Sequence, residues 1–531
     1  MTHDRTASVM TRLGTPTFAL CVVLCIVGLL VRLIPLFEGD DMLFHQPTED
    51  GYLLLTVARN LAIGRGMSTA EGTIATNGVQ PLITLVFAAG YYLVDGDKAG
   101  GVRIAMFVSV AIAIAAAWMA YRFGRRLLVD HPRGDRLAAL AASLWFASPI
   151  SLRHTTNALE TGLYTLIGLI VLDRLLILRR LEPQRRAVSQ LSALGVWLGV
   201  CFWARNDGVF LAAATCGWWC VDAWARGRRR AAWVEPLVIG GTATVVTLPW
   251  VLFNLINFGH PVPVSGRSEG AGATFGGNLD RLAATLAENA LVVAGVPQRF
   301  EDHLAVQLTS VVVLAIAAAA LAQCLRAAGR SERDVILVGA SFGLALAGYY
   351  GLVFGAKHFL ARYQTPVSPL WALLTVVSMH AFLAQLAERL HRPALLKQGA
   401  TAVLAVATGL VLVQDSRLIR LRGEHEHMQV VEWIRDHVPA HVWVGAVQTG
   451  TIGYFHERSL NLDGKVNPAA LVARQQRRVF DYIIESQVDY IADWVGMAYW
   501  EDDLKGHFRQ VVVDERRNLG VLERIDKRAA P

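Results

Sequence analysis

The chain has 531 residues, 54% of them hydrophobic and 18% charged, with a mean hydropathy of +0.39 and a formal net charge of +7. These proportions exclude a disordered chain and an ordinary soluble fold, and they suit a polytopic membrane protein. The surplus of positive charge does not point to nucleic acid, because the arginines cluster in short patches between apolar runs, as membrane topology requires.

In chain order, the run from Thr15 to Leu36, preceded by Arg5 and Arg12, is too long for the apolar region of a signal peptide. No small-residue cleavage site follows, so an uncleaved anchor is expected. A first outer loop covers residues 38–99. Its acidic start, Thr48-Glu49-Asp50-Gly51-Tyr52, leads into Leu53, Leu54, Val57, Ala58 and Leu61 at helical spacing. That pattern predicts a helix lying in the membrane plane. Thr48 or Asp50 can cap it, and a carboxylate fixed at the water–lipid boundary can equally act as a general base. Thr76-Asn77-Gly78-Val79-Gln80-Pro81 reads as a turn feeding a helix with proline in its first turn. The apolar stretch from Pro81 to Val94 is short. It reads as interfacial or re-entrant, since a span there would put Arg122, Arg125, Arg126, Arg133 and Arg136 outside.

Spans of about 20 apolar residues are predicted to start near residues 16, 101, 136, 160, 190, 208, 232, 305, 335, 366 and 397. With about eleven spans, the N-terminus inside and the C-terminus outside, every dense basic loop falls on the inner side. These loops carry Arg179–Arg186, Arg226–Arg230, Arg326–Arg333 and Arg389–Lys397. The six cysteines all lie in apolar segments without zinc-like spacing and read as small buried residues.

The same topology gathers the unusual polar residues outside. A carboxylate at the bilayer centre costs about 2.5–3.5 kcal/mol, so Glu160 belongs at a rim or facing the bundle interior. A helix-start acid favoured by the macrodipole is the plainer alternative. Arg205-Asn206-Asp207 is either a tight turn with a self-satisfied ion pair or an outer arginine that holds a phosphate. The patch from Lys357 through His358, Arg362 and Tyr363 to Gln364 sets basic residues against the topological bias, which calls for an anionic ligand. The loop 257–304 opens on a turn-rich segment and becomes Gly-rich. Its His260 reads as a polar loop residue or a proton shuttle, and no spacing there makes a metal site.

The first domain is placed at 1–413 and a soluble outer domain at 414–531. The latter has helix patterns over Val430–His437 and Val479–Ser486 and strand patterns over Val442–Val447 and Tyr490–Ala492. Its glycines read as turns, because they match no dinucleotide fingerprint. The predicted fold class is therefore a polytopic α-helical membrane protein with a C-terminal α/β domain on the outer face.

The run Glu49-Asp50-Gly51-Tyr52 through Ala58-Arg59-Asn60-Leu61-Ala62 resembles the GT-C glycosyltransferases that use polyprenyl-phosphate sugars, in particular the arabinofuranosyltransferase type. Protein O-mannosyltransferases and lipid A aminoarabinose transferases are similar in their acidic first loop. Thr76-Asn77-Gly78-Val79-Gln80-Pro81-Leu82, Leu159-Glu160-Thr161, Arg205-Asn206-Asp207-Gly208 and Arg362-Tyr363 fit the same pattern. Phe258-Gly259-His260-Pro261-Val262-Pro263 does too, although Val264-Ser265 stands where the family has Asn-Thr.

The resemblance implies a multi-pass bacterial inner-membrane enzyme with its active site on the extracytoplasmic side. It implies inverting transfer from a polyprenyl-phosphate sugar to a hydroxyl of a glycan, lipid or protein. Asp50 is then the base, supported by Glu49, and Lys357, Arg362 and Arg205 hold the leaving phosphate. Tyr52, Glu160, Asp207, His260, His358 and Tyr363 contact substrate. The acidic pair also offers ligands for a divalent cation, Mg or Mn. A transporter or flippase of a lipid-linked sugar is the alternative. It calls for carboxylates within spans and an inverted repeat, and neither is evident in the sequence.

Overall fold

The structure is a computed structural model that describes residues 15–296, 300–420 and 425–526. Arg5, Arg12 and the side chain of His358 lie outside the described residues. Among the described residues, helices occupy all eleven predicted positions, and eight are by length and composition able to cross a bilayer. Gly134–Ala147, Val188–Ala204 and Gly208–Ala225 have 14, 17 and 18 residues. The reasons are local: Pro149 opens a new helix right after Ser148, and Arg205-Asn206-Asp207 interrupts what would otherwise be one long apolar run. Gly134–Ala147 is buried from Leu137 to its end inside the bundle, where Trp145 Nε1 donates to Ser368 Oγ at 2.8 Å.

The basic loops meet at one end of the bundle. Arg126 pairs with Asp173 at 2.5 Å, Arg180 with Glu332 at 2.6 Å, and Arg226 and Arg330 converge on Asp222 at 2.8 and 2.6 Å. Loops far apart in sequence therefore share one end, as the charge pattern predicts.

The other end carries the helix Glu49–Ala62, the helix Pro81–Tyr92 and the C-terminal domain. Pro81–Tyr92 has 12 residues, about 18 Å at 1.5 Å per residue, too short to span. Glu49–Ala62 does not rest an apolar face on lipid, contrary to the amphipathic reading. Its residues 51–58 are all buried, because Pro81–Tyr92 packs on one side and the helix Thr449–Phe455 of the C-terminal domain on another. Tyr52 joins the two parts, its ring 5.0 Å from that of Tyr454.

The C-terminal domain is a five-stranded sheet flanked by short helices. Its strand order is Ser459–Asn461, Val444–Ala446, Tyr490–Asp493, Leu519–Arg524, Phe508–Asp514. The first three strands are parallel (Val444 opposite Ser459 and Tyr490), and the last two join antiparallel (Asp493 opposite Gly520, Phe508 opposite Arg524). The helices Met428–His437 and Val479–Glu485 fall where their apolar spacing puts them. Gly450 and Gly453, read as turn residues, instead lie in the helix Thr449–Phe455. The helix Pro393–Arg420 carries the chain straight through the expected boundary at 413, so the domain begins beyond Arg420.

Candidate active site

Where the C-terminal domain meets the bundle, the described residues enclose a cavity of about 480 Å³, within the usual range for small-ligand sites. Asp50, Glu160, Arg205, Asp207, Glu269, Arg362, Tyr363 and Lys465 line it, over an apolar wall that includes Leu53, Leu54, Phe202 and Phe210. Residues from six separate stretches of sequence thus face one space.

Asp50 owes its position to its neighbour. The N-cap of Glu49–Ala62 is Thr48, whose Oγ1 accepts from Gly51 N at 3.3 Å, so the Asp50 carboxylate is not consumed as the cap. It receives Arg362 Nη1 at 2.9 Å, and Lys465 Nζ lies 3.9 Å from its other oxygen. Lys465 also meets Glu269 at 2.9 Å. Burial alone would lower the Lys465 ammonium, but Asp50, Glu269 and Asp463 outweigh it and hold the group above the ordinary lysine value, so it remains a cation.

Deeper in the cavity, Arg205 forms a second cluster. Its guanidinium lies 3.1 Å from Asp207 and 3.5 Å from Glu160, and its Nη2 donates to the Tyr350 hydroxyl at 2.9 Å. Tyr350 in turn donates to Asp207 at 2.7 Å and stacks on Tyr363, with ring centroids 3.9 Å apart. Arg205 sits 4.4 Å over the Tyr363 ring, a cation–π contact strengthened by burial. Glu160 and Asp207 both stand at helix starts, yet neither side chain caps its helix. Their carboxylates serve Arg205 instead. With two carboxylates on one cation, this inner cluster carries net negative charge and presents acceptors to hydroxyl groups.

Four expected site residues lie elsewhere, and the side chain of a fifth, His358, lies outside the described residues. Glu49 points away from the cavity into the C-terminal domain, where it accepts from Gly450 N, from Thr451 N at 2.8 Å and from Thr451 Oγ1 at 2.6 Å. It therefore binds the N-terminus of the helix Thr449–Phe455, a favourable place for a carboxylate. Burial and the like charge of Asp50 still hold its acid above the ordinary glutamate value, against those hydrogen bonds. A side chain on Gly450 would collide with the Glu49 carbonyl at 1.9 Å, so glycine is required for this contact. Tyr52 is buried with its hydroxyl donated to the Phe44 carbonyl. Lys357 pairs with Asp280, half-exposed and outside the cavity. His260 is partly exposed and bonds within its own loop, Val262 N donating to its Nδ1 at 3.0 Å, while Pro261, Val262 and Pro263 beside it do line the cavity.

Lys465, Glu269 and Tyr350 are cavity residues that sequence reasoning passed over. The signal for Lys465 was faint: one cation inside Leu460-Asn461-Leu462-Asp463-Gly464-Lys465-Val466-Asn467, which reads as an ordinary turn.

Among the described residues, no group of three or more His, Cys, Asp or Glu side chains is placed to hold a metal ion. In the cavity each carboxylate already meets a basic group. This donor set fits ion pairing rather than a cation cage.

Comparison with known proteins bears on this arrangement. A domain of unknown function, DUF8728, matches residues 417–521, and no curated protein matches the chain. Solved structures match nearly all of it. ArnT from Cupriavidus metallidurans bound to undecaprenyl phosphate gives a TM-score of 0.61 at 15% identity, over 96% of this chain and 99% of that one. The chain has the GT-C fold. The archaeal oligosaccharyltransferase AglB from Archaeoglobus fulgidus, in complex with an inhibitory peptide and a dolichol-phosphate, shares this GT-C fold with a TM-score of 0.59 at 10% identity, over 96% and 74% of the two chains. The Archaeoglobus fulgidus oligosaccharyltransferase in complex with Zn and sulfate matches at 0.51 and 12% identity, over 92% and 71%. The resemblance carried by the acidic first loop thus has a counterpart in the whole GT-C architecture.

Proposed function

We propose that the protein is an inverting glycosyltransferase that moves a sugar from a polyprenyl-phosphate donor to a hydroxyl of a glycan, lipid or protein acceptor. The observation that carries this reading is the Asp50 carboxylate, freed from capping by Thr48 and held at 2.9 Å from Arg362 in a shared cavity. The GT-C fold, whose solved relatives include forms with undecaprenyl phosphate and dolichol-phosphate bound, supports the same class of donor.

The chemistry is a single displacement. The acceptor O–H passes its proton to the Asp50 carboxylate while the oxygen forms a bond to the anomeric carbon. The bond from that carbon to the phosphate oxygen breaks, and the electron pair leaves with the lipid phosphate, which gains a unit of negative charge. Arg362 is placed to stabilise that charge in a water-poor site, where a fixed cation is worth more than in solution. Arg205, neutralised by Glu160 and Asp207, suits the sugar rather than the phosphate, with the two carboxylates accepting from its hydroxyls. Attack on the face of the anomeric carbon opposite the leaving phosphate inverts the configuration.

The long apolar helices and the likeness to ArnT support a multi-pass bacterial inner-membrane protein, and the charge pattern supports a cavity that opens to the extracytoplasmic side. The test is to incubate membranes containing the protein with radiolabelled polyprenyl-phosphate sugars. Labelled acceptor together with released lipid phosphate supports the reading. Donor that crosses the membrane intact, with no release, supports the flippase alternative and overturns this one.

A further inference from the structure

We infer that Lys465 of the C-terminal domain is a direct ligand of the lipid phosphate, so that this domain completes the donor site from above the membrane. The inference rests on the glycosyltransferase reading and extends it to a residue and a domain that the reading does not use.

Among the described residues, Lys465 is the one that the C-terminal domain contributes to the cavity lining. Its side chain is 14% exposed, and its ammonium lies between Asp50 at 3.9 Å and Glu269 at 2.9 Å. Arg362 approaches Asp50 from another direction at 2.9 Å. Two cations therefore flank the carboxylate read as the base, one from the bundle and one from the domain. A phosphate entering between them gives each a second anionic partner and loosens their hold on Asp50, as a base that must take a proton requires. Among the described residues, the buried Arg362 Nε also has no hydrogen-bond partner, a donor left over for such a ligand.

The backbone around Lys465 is built to hold it in place. Gly464 adopts a φ of +83°, its N donates to Asn461 Oδ1 at 2.9 Å, and Lys465 N donates to Asp463 Oδ1 at 2.8 Å. Asn467 Nδ2 bonds the Asn461 carbonyl at 2.8 Å, and Asn461 is itself anchored to Thr449 Oγ1 at 3.0 Å. Ser268 Oγ, next to Glu269, donates to the Asp463 carbonyl at 2.8 Å. The loop of the domain and the helix Val264–Ala271 of the outer loop are thus fastened together beside the ammonium. A surface lysine would need none of this scaffold.

Glu269 competes with the ligand for Lys465, which gives the test its discriminating arm. Binding of polyprenyl phosphate to the purified full-length protein is measured for the wild type, Lys465→Met, Lys465→Arg, Glu269→Gln and the double variant. Inorganic phosphate and neutral polyprenol serve as companion probes, and melting in detergent verifies folding. Loss of a charge-assisted contact predicts roughly 10- to 100-fold weaker binding for Lys465→Met, largely restored by Lys465→Arg. Glu269→Gln tightens binding, and that gain disappears in the Lys465→Met background. Polyprenol binds equally to all forms. Inorganic phosphate shows the same ranking at lower affinity if the anion alone is read, and the ranking persists only with the lipid if the chain is required.

Folded Lys465→Met that binds polyprenyl phosphate like the wild type overturns the inference and leaves the glycosyltransferase reading standing. So does a Glu269→Gln gain that survives without Lys465, since Glu269 then acts on the phosphate directly. Wild-type protein that neither binds polyprenyl phosphate nor transfers sugar overturns both.

Discussion

Gly78 separates a steric requirement from a conformational one. Its φ is not positive, so no turn geometry demands glycine. A Cβ built there would lie 2.1 Å from the Lys465 carbonyl oxygen and 3.1 Å from Val466 Cγ1. Because the first contact is to backbone, the loop itself must retreat, by about 1 Å to reach ordinary contact. Overpacking of this kind costs about 1–3 kcal/mol. In Gly78→Ala that cost is expected to appear as a lowered melting temperature and a raised KM for the lipid-linked donor, since the Lys465 ammonium leaves the cavity with its backbone. Detergent melting and donor titration measure both, and in a Lys465→Met background the KM effect should vanish. Gly78→Ala with wild-type melting and wild-type KM would refute the claim that the first loop and the domain loop are packed in fixed contact.

Glu49→Ala removes the acceptor for three donors at the start of Thr449–Phe455, a loss of about 1–3 kcal/mol for buried unsatisfied groups. Hydrogen exchange should quicken across residues 449–455 while the bundle core stays protected; unchanged protection contradicts the cap. Lys357→Met removes only a half-exposed pair, worth roughly 0.2–1 kcal/mol, and donor KM should stay within about twofold, whereas Arg362→Met should raise it strongly; equal effects would return Lys357 to the site. Asp493 is pushed up to about 7 by burial, against hydrogen bonds from Gln448 N, Trp494 N and Val447 N. Between about 4 and about 7 the folded chain holds a proton that the unfolded chain has released. Stability through this group therefore falls as pH rises across that window, and Asp493→Asn should flatten the slope of melting temperature against pH; an unaltered slope contradicts it.

The helices were legible because apolar length and charge asymmetry are properties of single segments. Eleven positions came out helical, and the basic loops that share one end were read from arginine clustering alone. Three of the eleven helices are shorter than the rest, and a helix packed in protein, as most of Gly134–Ala147 is, looks as apolar as one in lipid. The same ambiguity hid the fate of Glu49–Ala62, whose apolar face packs on the C-terminal domain rather than on lipid. Within the site, Asp50, Glu160, Arg205, Asp207, Arg362 and Tyr363 were conspicuous as polar residues in apolar surroundings. Lys465 was not, because its own neighbours are polar and its partners, Asp50 and Glu269, lie some 400 and 200 positions away. Sequence separation also hid the orientation of Glu49, which differs from Asp50 by one position on a helix and so faces another way.

The central claim is that Asp50 takes the acceptor proton. Purified Asp50→Asn protein, supplied with a radiolabelled polyprenyl-phosphate sugar that the wild type uses, tests it most directly. Loss of a general base predicts transfer reduced by about 100-fold or more, with binding of the lipid phosphate retained because Arg362 and Lys465 remain. Undiminished transfer by Asp50→Asn would contradict the account.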